Sequence, residues 1–354
     1  MDTNVMLKRL RLRNQKYRAF LMLLIGVLVF KFYVWSYVDD ECNVSYFRQL
    51  VDGECVYVNT TIKTEARYVN TKLWKTDLPK PILTLFTTFN IEMQQRIVYE
   101  NTLKNWKRLK NVETLLFYGD EETKDMGELF NWTVLPVPKY ACGTPVLRSM
   151  FEVAQNQFDS HFYGYANADL LLSPDFIRTL EHVLRSKGFD QGPVFITGRR
   201  IDVNVSALVN KNVHSEDEFV EMAKHGNLSH DMAADYFISN KLFLWKYIPD
   251  LVVGRPIIDN WLVWYSRMTN SKIIDSTFTA LALHQRANGF VKKVNFCNHK
   301  IAKNAGMLPR IPIWRGSVEC STHSALKTSN NEIVFLPKFP LLENCNWRQI
   351  IYNK

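Results

Sequence analysis

The chain has 354 residues, 47% of them hydrophobic and 13% aromatic, enough for one large globular domain or two smaller ones. Fourteen glycines and 13 prolines exclude a collagen-like or low-complexity chain, and 22% charged residues exclude a mostly disordered one. The formal charge of +9 suggests nucleic acid until it is located: residues 1–18 hold +5 of it, through Lys8, Arg9, Arg11, Arg13, Lys16 and Arg18 against Asp2, so the remainder gives no ground for a nucleic-acid partner.

Residues 19–38, AFLMLLIGVLVFKFYVWSYV, form an apolar run broken by Lys31. A spanning helix needs about 20 mostly apolar residues, so this run predicts a single transmembrane helix. Tyr33, Trp35 and Tyr37 gather at one end, as interfacial aromatics do. Basic residues precede the run and Asp39, Asp40 and Glu41 follow it. The positive-inside rule then predicts a cytosolic tail over 1–18 and a lumenal remainder. No small-x-small cleavage site follows, so a retained signal anchor is expected. All six cysteines (Cys42, Cys55, Cys142, Cys297, Cys320, Cys345) lie beyond the run and form no CxxC zinc pair, which predicts disulfides. Cys42 and Cys55 could close a short local loop, and sequence alone does not choose among the pairings. Sequons at Asn43, Asn59, Asn131, Asn204 and Asn227 agree with a glycosylated lumenal body.

Residues 39–80 are polar and end at Pro79-Lys-Pro81, so they read as a lumenal stem. From residue 81 short apolar runs alternate with amphipathic stretches, the mark of an α/β fold with a sheet flanked by helices. Residues 82–90 predict a strand, 92–109 a helix, and 112–120 and 131–138 two further strands. Thr144-Pro145 reads as the cap and first turn of a helix running to Phe158. Residues 161–172 predict one apolar strand, and Ser173-Pro174-Asp175 opens another helix. Residues 194–202, 235–244 and 271–277 predict later strands, and residues 261–268 a helix. The domain spans 81–354, with a cysteine-bearing extension over about 290–354.

In open α/β sheets, ligands sit outside the carboxyl ends of the strands. The informative residues are therefore those where an apolar run turns polar. In Tyr165-Ala-Asn-Ala-Asp169, period-2 alternation puts Asn167 and Asp169 on one face if the strand persists. Two oxygen donors there can hold a hard divalent cation, which in turn can hold a diphosphate. In Gly254-Arg-Pro-Ile-Ile-Asp-Asn-Trp261 an acidic residue, Asp259, stands among Ile257, Ile258 and Trp261. Further on, Ala280-Leu-Ala-Leu runs into His284.

The order of these segments is a Thr-rich first strand, YGDE, GTP, YANADLLL, GRRID, DYF, GRPxxDNW and ALALHQ. It resembles nucleotide-sugar glycosyltransferases of the GT-A fold, over residues 82–326. The resemblance implies a GT-A-like, Rossmann-like mixed sheet and a metal-dependent transferase. Such an enzyme moves a sugar from a nucleoside-diphosphate donor to a hydroxyl acceptor on a glycan, glycoprotein or glycolipid. A type II anchor and stem further imply a single-pass Golgi membrane protein with a lumenal domain. Asn167-Ala-Asp169 resembles the metal-binding DxD motif with asparagine in its first position. That makes Asp169 and the late His284 the implied ligands, with Asn167 as a third, for a divalent cation such as Mn2+. Thr87, Thr88 and Asp120 fall where base and ribose bind, Asn167 counts with them among the nucleotide-sugar contacts, and Arg200 and Arg255 are implied in diphosphate or acceptor contacts. Asp259 lies where an inverting enzyme carries its base, with Asp235 in reserve, and Trp261 is implied as an acceptor-stacking ring. No GxxxxGK[ST] loop follows a strand, which argues against a sulfotransferase. A glycoside hydrolase needs two carboxylates and no metal strand. The rival reading is a membrane-anchored protein that kept the fold and lost catalysis, and Asn167 is the feature that favours it.

Overall fold

The structure, a computed structural model, describes residues 80–91, 96–204, 213–286, 296–304 and 316–338 together with Cys345. The expected tail, span and stem, with Cys42, Cys55, Asn43 and Asn59, lie outside the described residues. Among the described residues no helix is long and apolar enough to cross a membrane.

In chain order the elements begin with β1 (Leu83–Thr87), α1 (Arg96–Lys107), β2 (Val112–Tyr118), α2 (Glu121–Leu129), β3 (Thr133–Pro136), β4 (Tyr140–Ala141) and β5 (Thr144–Pro145). There follow α3 (Leu147–Gln157), β6 (Phe162–Ala166), β7 (Leu170–Leu172), α4 (Pro174–Arg185), β8 (Val194–Thr197), β9 (Ile201–Asn204) and α5 (Glu216–Lys224). The last are β10 (Asn227–Leu228), β11 (Tyr236–Asn240), α6 (Ile258–Met268), β12 (Lys272–Asp275), β13 (Ala282–Arg286), α7 (Cys297–Asn304), β14 (His323–Lys327) and β15 (Ile333–Pro337). Nine strands form one sheet in the order β15-β14-β12-β8-β11-β6-β1-β2-β3, and β10-β9-β13-β7 form a second, smaller one. The large sheet is parallel except at β11 and β15, which run against their neighbours. The α/β expectation holds as a mixed, mostly parallel sheet.

Buried residues of the central strands explain why so little alternation is visible there. All five residues of β1 are buried, because helices cover both faces of a parallel sheet. Leu83 and Leu85 pack on one side with Trp106 and Trp132, and Phe86 packs on the other with Phe151 and Phe117. The C-terminal extension is part of the same sheet through β14 and β15. A charge cluster ties it down: Lys327 Nζ lies 2.6 Å from Asp175 and 2.9 Å from Glu216, and Arg178 lies 3.1 Å from Asp175. Lys327→Met would leave a nearly buried carboxylate short of a partner, and urea unfolding should show a loss of about 2 kcal/mol. Cys142 bonds Cys297 and Cys320 bonds Cys345, so all four cysteines among the described residues form disulfides.

Four expected elements differ, one of them the strand expected over 235–244, which ends at Asn240 as β11 and gives way to a turn. Residues 161–172 are two strands in different sheets, parted by a turn in which the Leu170 amide donates to the Asn167 carbonyl at 3.2 Å. Residues 194–202 likewise divide at Gly198–Arg200 into β8 and β9. Thr144-Pro145 is not a helix start but a short strand, and α3 begins at Leu147. The apolar side chains that drive each run are shared by two sheets, so no change in periodicity marks the break.

Candidate functional site

The small sheet assembles the site. Asp169 ends the turn before β7, Asp202 lies in β9 and His284 in β13. The register sets His284 opposite both Leu170 and Asp202, and the Gln285 amide donates to the Asp169 carbonyl at 2.9 Å. Residues 115 and 82 positions apart in sequence are thereby brought to one imidazole. His284 Nε2 lies 3.2 Å from Asp169 Oδ2, and Nδ1 lies 2.8 Å from Asp202 Oδ1. Burial opposes a charge on the ring, yet the hydrogen bonds to Asp169 and Asp202 raise its pKa to about 9.

From Asp202 the charges alternate onward. The Arg200 guanidinium donates to Asp202 Oδ1 at 3.0 Å through Nε and to Asp235 Oδ2 through Nη1. Burial works against Asp202, but His284 and Arg200 hold its carboxyl down at about 2. Asp235 moves the other way: burial raises it, Arg200 opposes, and the charge of Asp169 adds to the rise. The Asn167 amide donates to the Asp235 carbonyl at 2.9 Å, which fastens this strand start to the end of β6.

Asp259 is the next acidic group. It stands in the first turn of α6, its oxygens accepting from the Ala234 amide at 3.4 Å and the Asn260 amide at 2.9 Å. Burial pushes its pKa up to about 7, the two amides oppose that, and the nearby Asp235 charge adds to it. The turn that presents it is held under strain. Ile257, β-branched, has φ 91°, a backbone conformation such residues rarely adopt. Asn260 donates to the carbonyls of Met232 and Gly316, and Gly316 lies so close that a Cβ on it would fall 1.7 Å from the Asn260 carbonyl oxygen.

The remaining expected residues are placed as follows. Thr87 is fully buried at the carboxyl end of β1 and Thr88 half-buried beside it. Asp120, past the end of the adjacent β2, accepts from the Thr123 amide at 2.8 Å and so caps α2. Asn167 Oδ1 accepts from the Tyr165 hydroxyl at 2.9 Å, which leaves its amide nitrogen as the donor it can offer. Arg255 donates to the carbonyl of Gly254, and the contacts described above do not bring it to the Asp169–Asp259 chain. Trp261 departs from expectation. It is 6% exposed in the core, its face stacked on Tyr265 at 5.0 Å, so the ring is committed to packing and not offered to a sugar. Asp202 was not singled out from sequence, although one signal existed: a carboxylate between Ile201 and Val203, both buried, at strand spacing.

The donor set fits a divalent cation as a two-residue site. A 3.2 Å separation is close to that of neighbouring ligands on an octahedral ion with bonds of about 2.1 Å. The Nδ1 contact to Asp202 is of the kind by which an outer carboxylate orients a ligating histidine. Among the described residues no group of three His, Cys, Asp or Glu side chains gathers to hold an ion, so water and substrate oxygens would fill the other positions.

No protein-family model matches the sequence, and no curated protein does. Among solved structures the chain is similar to a mycobacterial protein at 9% identity and TM-score 0.39, over 73% of this chain and 84% of that one. It is also similar to glucosyl-3-phosphoglycerate synthase of Mycobacterium tuberculosis, solved with Mn2+, UDP and glucosyl-3-phosphoglycerate, at 9% identity and TM-score 0.34 over 58% and 73%. A third is CMP:2-keto-3-deoxy-manno-octonic acid synthetase complexed with CTP, at 12% identity and TM-score 0.28 over 64% and 98%. At such identities and TM-scores no residue role carries across.

Proposed function

We propose that the protein is a metal-dependent glycosyltransferase, moving a sugar from a nucleoside-diphosphate donor to a hydroxyl acceptor on a glycan or glycoconjugate. The observation that carries this is the charge chain Asp169–His284–Asp202–Arg200–Asp235, with Asp259 next to it, at the carboxyl end of the sheet. The resemblance of YANADLLL, GRPxxDNW and ALALHQ to GT-A enzymes points the same way. Asp169 and His284 would hold the cation, Mn2+ or Mg2+, which supplies Lewis-acid stabilisation of the leaving diphosphate. Thr87, Thr88 and Asp120 are proposed to receive the nucleoside, and the amide nitrogen of Asn167 with Arg200 the diphosphate. Asp259 takes the acceptor proton as the hydroxyl oxygen attacks in an inverting displacement, and a pKa of about 7 suits a base working near neutrality. Arg200 pairs with Asp235 beside it. The basic tail, the apolar run at 19–38 and the disulfides support placement as a single-pass type II protein of the Golgi membrane, its domain lumenal.

The test is a nucleotide-release screen of the full chain over a panel of nucleotide sugars with Mn2+, alongside chelator and Asp169→Ala. Release of one nucleotide that both controls abolish is expected. Release that survives chelator or Asp169→Ala removes the metal reading. Asp202→Asn, by loosening His284, should weaken Mn2+ binding about 10- to 100-fold by electron paramagnetic resonance titration, and losing the carboxylate that pairs with His284 and Arg200 should also lower the melting temperature. The second reading, a binding protein without catalysis, draws on the Asn167 oxygen being committed to Tyr165. Nucleotide binding by thermal shift with no release from any donor and acceptor would favour it.

A further inference from the structure

The end of the large sheet opposite the candidate site has its own character. The chain enters the domain there, at Lys80, just before β1. Because β11 runs against β6, its last residue Asn240 pairs with Phe162, the first of β6. The turn after β11 therefore emerges where the chain enters. Lys80 pairs with Asp159 at 3.0 Å, and Lys241 is near enough to act on the same carboxylate. In Lys241-Leu-Phe-Leu-Trp-Lys-Tyr247 alternate residues divide their roles. Phe243 and Trp245 are buried in the core, whereas Leu242 is 53%, Leu244 39% and Tyr247 60% exposed, with Lys241 and Lys246 exposed beside them. Met268, 39% exposed, closes α6 at the same end, since the β12 that follows starts in register with the first residue of β8. The Tyr265 hydroxyl, one turn earlier, donates to the Leu244 carbonyl at 2.9 Å and braces the turn.

Outward leucines and a tyrosine make up an interfacial surface, apolar at its tips; around it Lys80 and Lys241 face Asp159, Lys139 and Arg148 pair with Asp250, and Lys246 adds a further positive charge. A bare core turn needs no outward leucine. We propose that this end of the domain docks on a lipid bilayer with anionic headgroups, the turn at 241–247 resting in the headgroup layer. The occupant follows from what precedes Lys80: the chain enters the domain at this end, and if the apolar run at 19–38 of the same chain spans a membrane, that membrane is tethered through Lys80. Tethering at an effective concentration in the millimolar range lets a small, individually weak patch stay docked. The inference rests on the reading of 19–38 as a span and is independent of the glycosyltransferase reading. Its consequence is that the Asp169–Asp259 end points away from the bilayer, toward acceptors reached from the aqueous side.

The test uses the full chain in nanodiscs, with p-benzoylphenylalanine in place of Leu244 or Tyr247, and in place of Glu122 at the opposite end. After irradiation, lipid adducts are measured by mass spectrometry. Adducts at 244 and 247 should exceed those at 122 by about fivefold or more, and rise further when phosphatidylserine replaces part of the phosphatidylcholine. Equal yields at the two ends, or adducts at 244 and 247 to protein and not lipid, would overturn the proposal, as would indifference to phosphatidylserine for its anionic part. Alkaline carbonate extraction of the full chain checks the span separately. A chain that washes off membranes defeats the span, while the adduct pattern on phosphatidylserine vesicles still decides the face.

Discussion

Asp259→Asn should cut turnover by about 100- to 10,000-fold without loss of fold, the range for removal of a general base. The amide keeps the size of the side chain and cannot take a proton. In the wild type the base must be ionised, so kcat/KM should climb as pH rises through about 7 and level off above it; the variant should show no such limb. Stability gives an independent sign. The folded-state pKa is raised from 3.8 to about 7, so the folded protein favours the protonated acid. That contribution is whole below the ordinary carboxylate range and is lost as pH climbs through 7. Between pH 6 and 8 the variant should therefore gain on the wild type in melting temperature. Near-normal turnover by the variant would remove Asp259 as base; parallel melting curves at the two pH values would remove the buried-acid account.

Gly316→Ala is the second large effect, and it acts from a residue far from the chemistry in sequence. A methyl group there would sit 1.7 Å from the Asn260 oxygen and 2.5 Å from its carbonyl carbon. Backbone, not a flexible side-chain end, has to yield. Overpacking of this kind should cost about 3 kcal/mol or more, and for a domain of this size a fall in melting temperature of roughly 6 °C or more. The movement falls on the first turn of α6, so Asp259 shifts with it. At a temperature where the variant is folded, kcat should drop far more than KM changes. A variant as stable and active as wild type would show that the close approach of Gly316 to Asn260 does not hold the turn.

The alternation of apolar runs and amphipathic stretches was enough to read a flanked sheet, since β1, β2 and β6 are short apolar runs and the helix between β1 and β2 has helical spacing. The capping signal at Thr144-Pro145, by contrast, misplaced the start of α3, whose cap residue Val146 makes no side-chain hydrogen bond. The Asp169–His284 pairing was readable only through the resemblance, because strand register, not spacing, joins residues 115 apart. What escaped was the second sheet. YANADLLL and VFITGRRID each read as one strand, and each crosses from one sheet to the other at its polar residues. Those crossings are where Asn167, Asp169 and Arg200 sit. Asp202 was hidden for a related reason: His284 and Arg286 come from a distant segment, and within GRRID, with Arg200 two residues before it, it looks like a surface acid. Trp261 misled in the opposite sense. The resemblance implied a ligand contact, while the structure stacks it on Tyr265, four residues on along the same helix.

The Cys142–Cys297 bond encloses every residue of the charge chain, from Asp169 to His284, within one covalent ring. A single proteolytic cut inside that ring does not release a fragment. The nicked molecule keeps its full mass under non-reducing conditions and separates into two pieces only with reductant. Both halves of the site, Asp169 with Arg200 and Asp202 on one side, Asp235, Asp259 and His284 on the other, would stay in one molecule after a cut between 204 and 213. A protease-nicked form can thus remain whole where disulfides persist and come apart only where thiols are kept reduced.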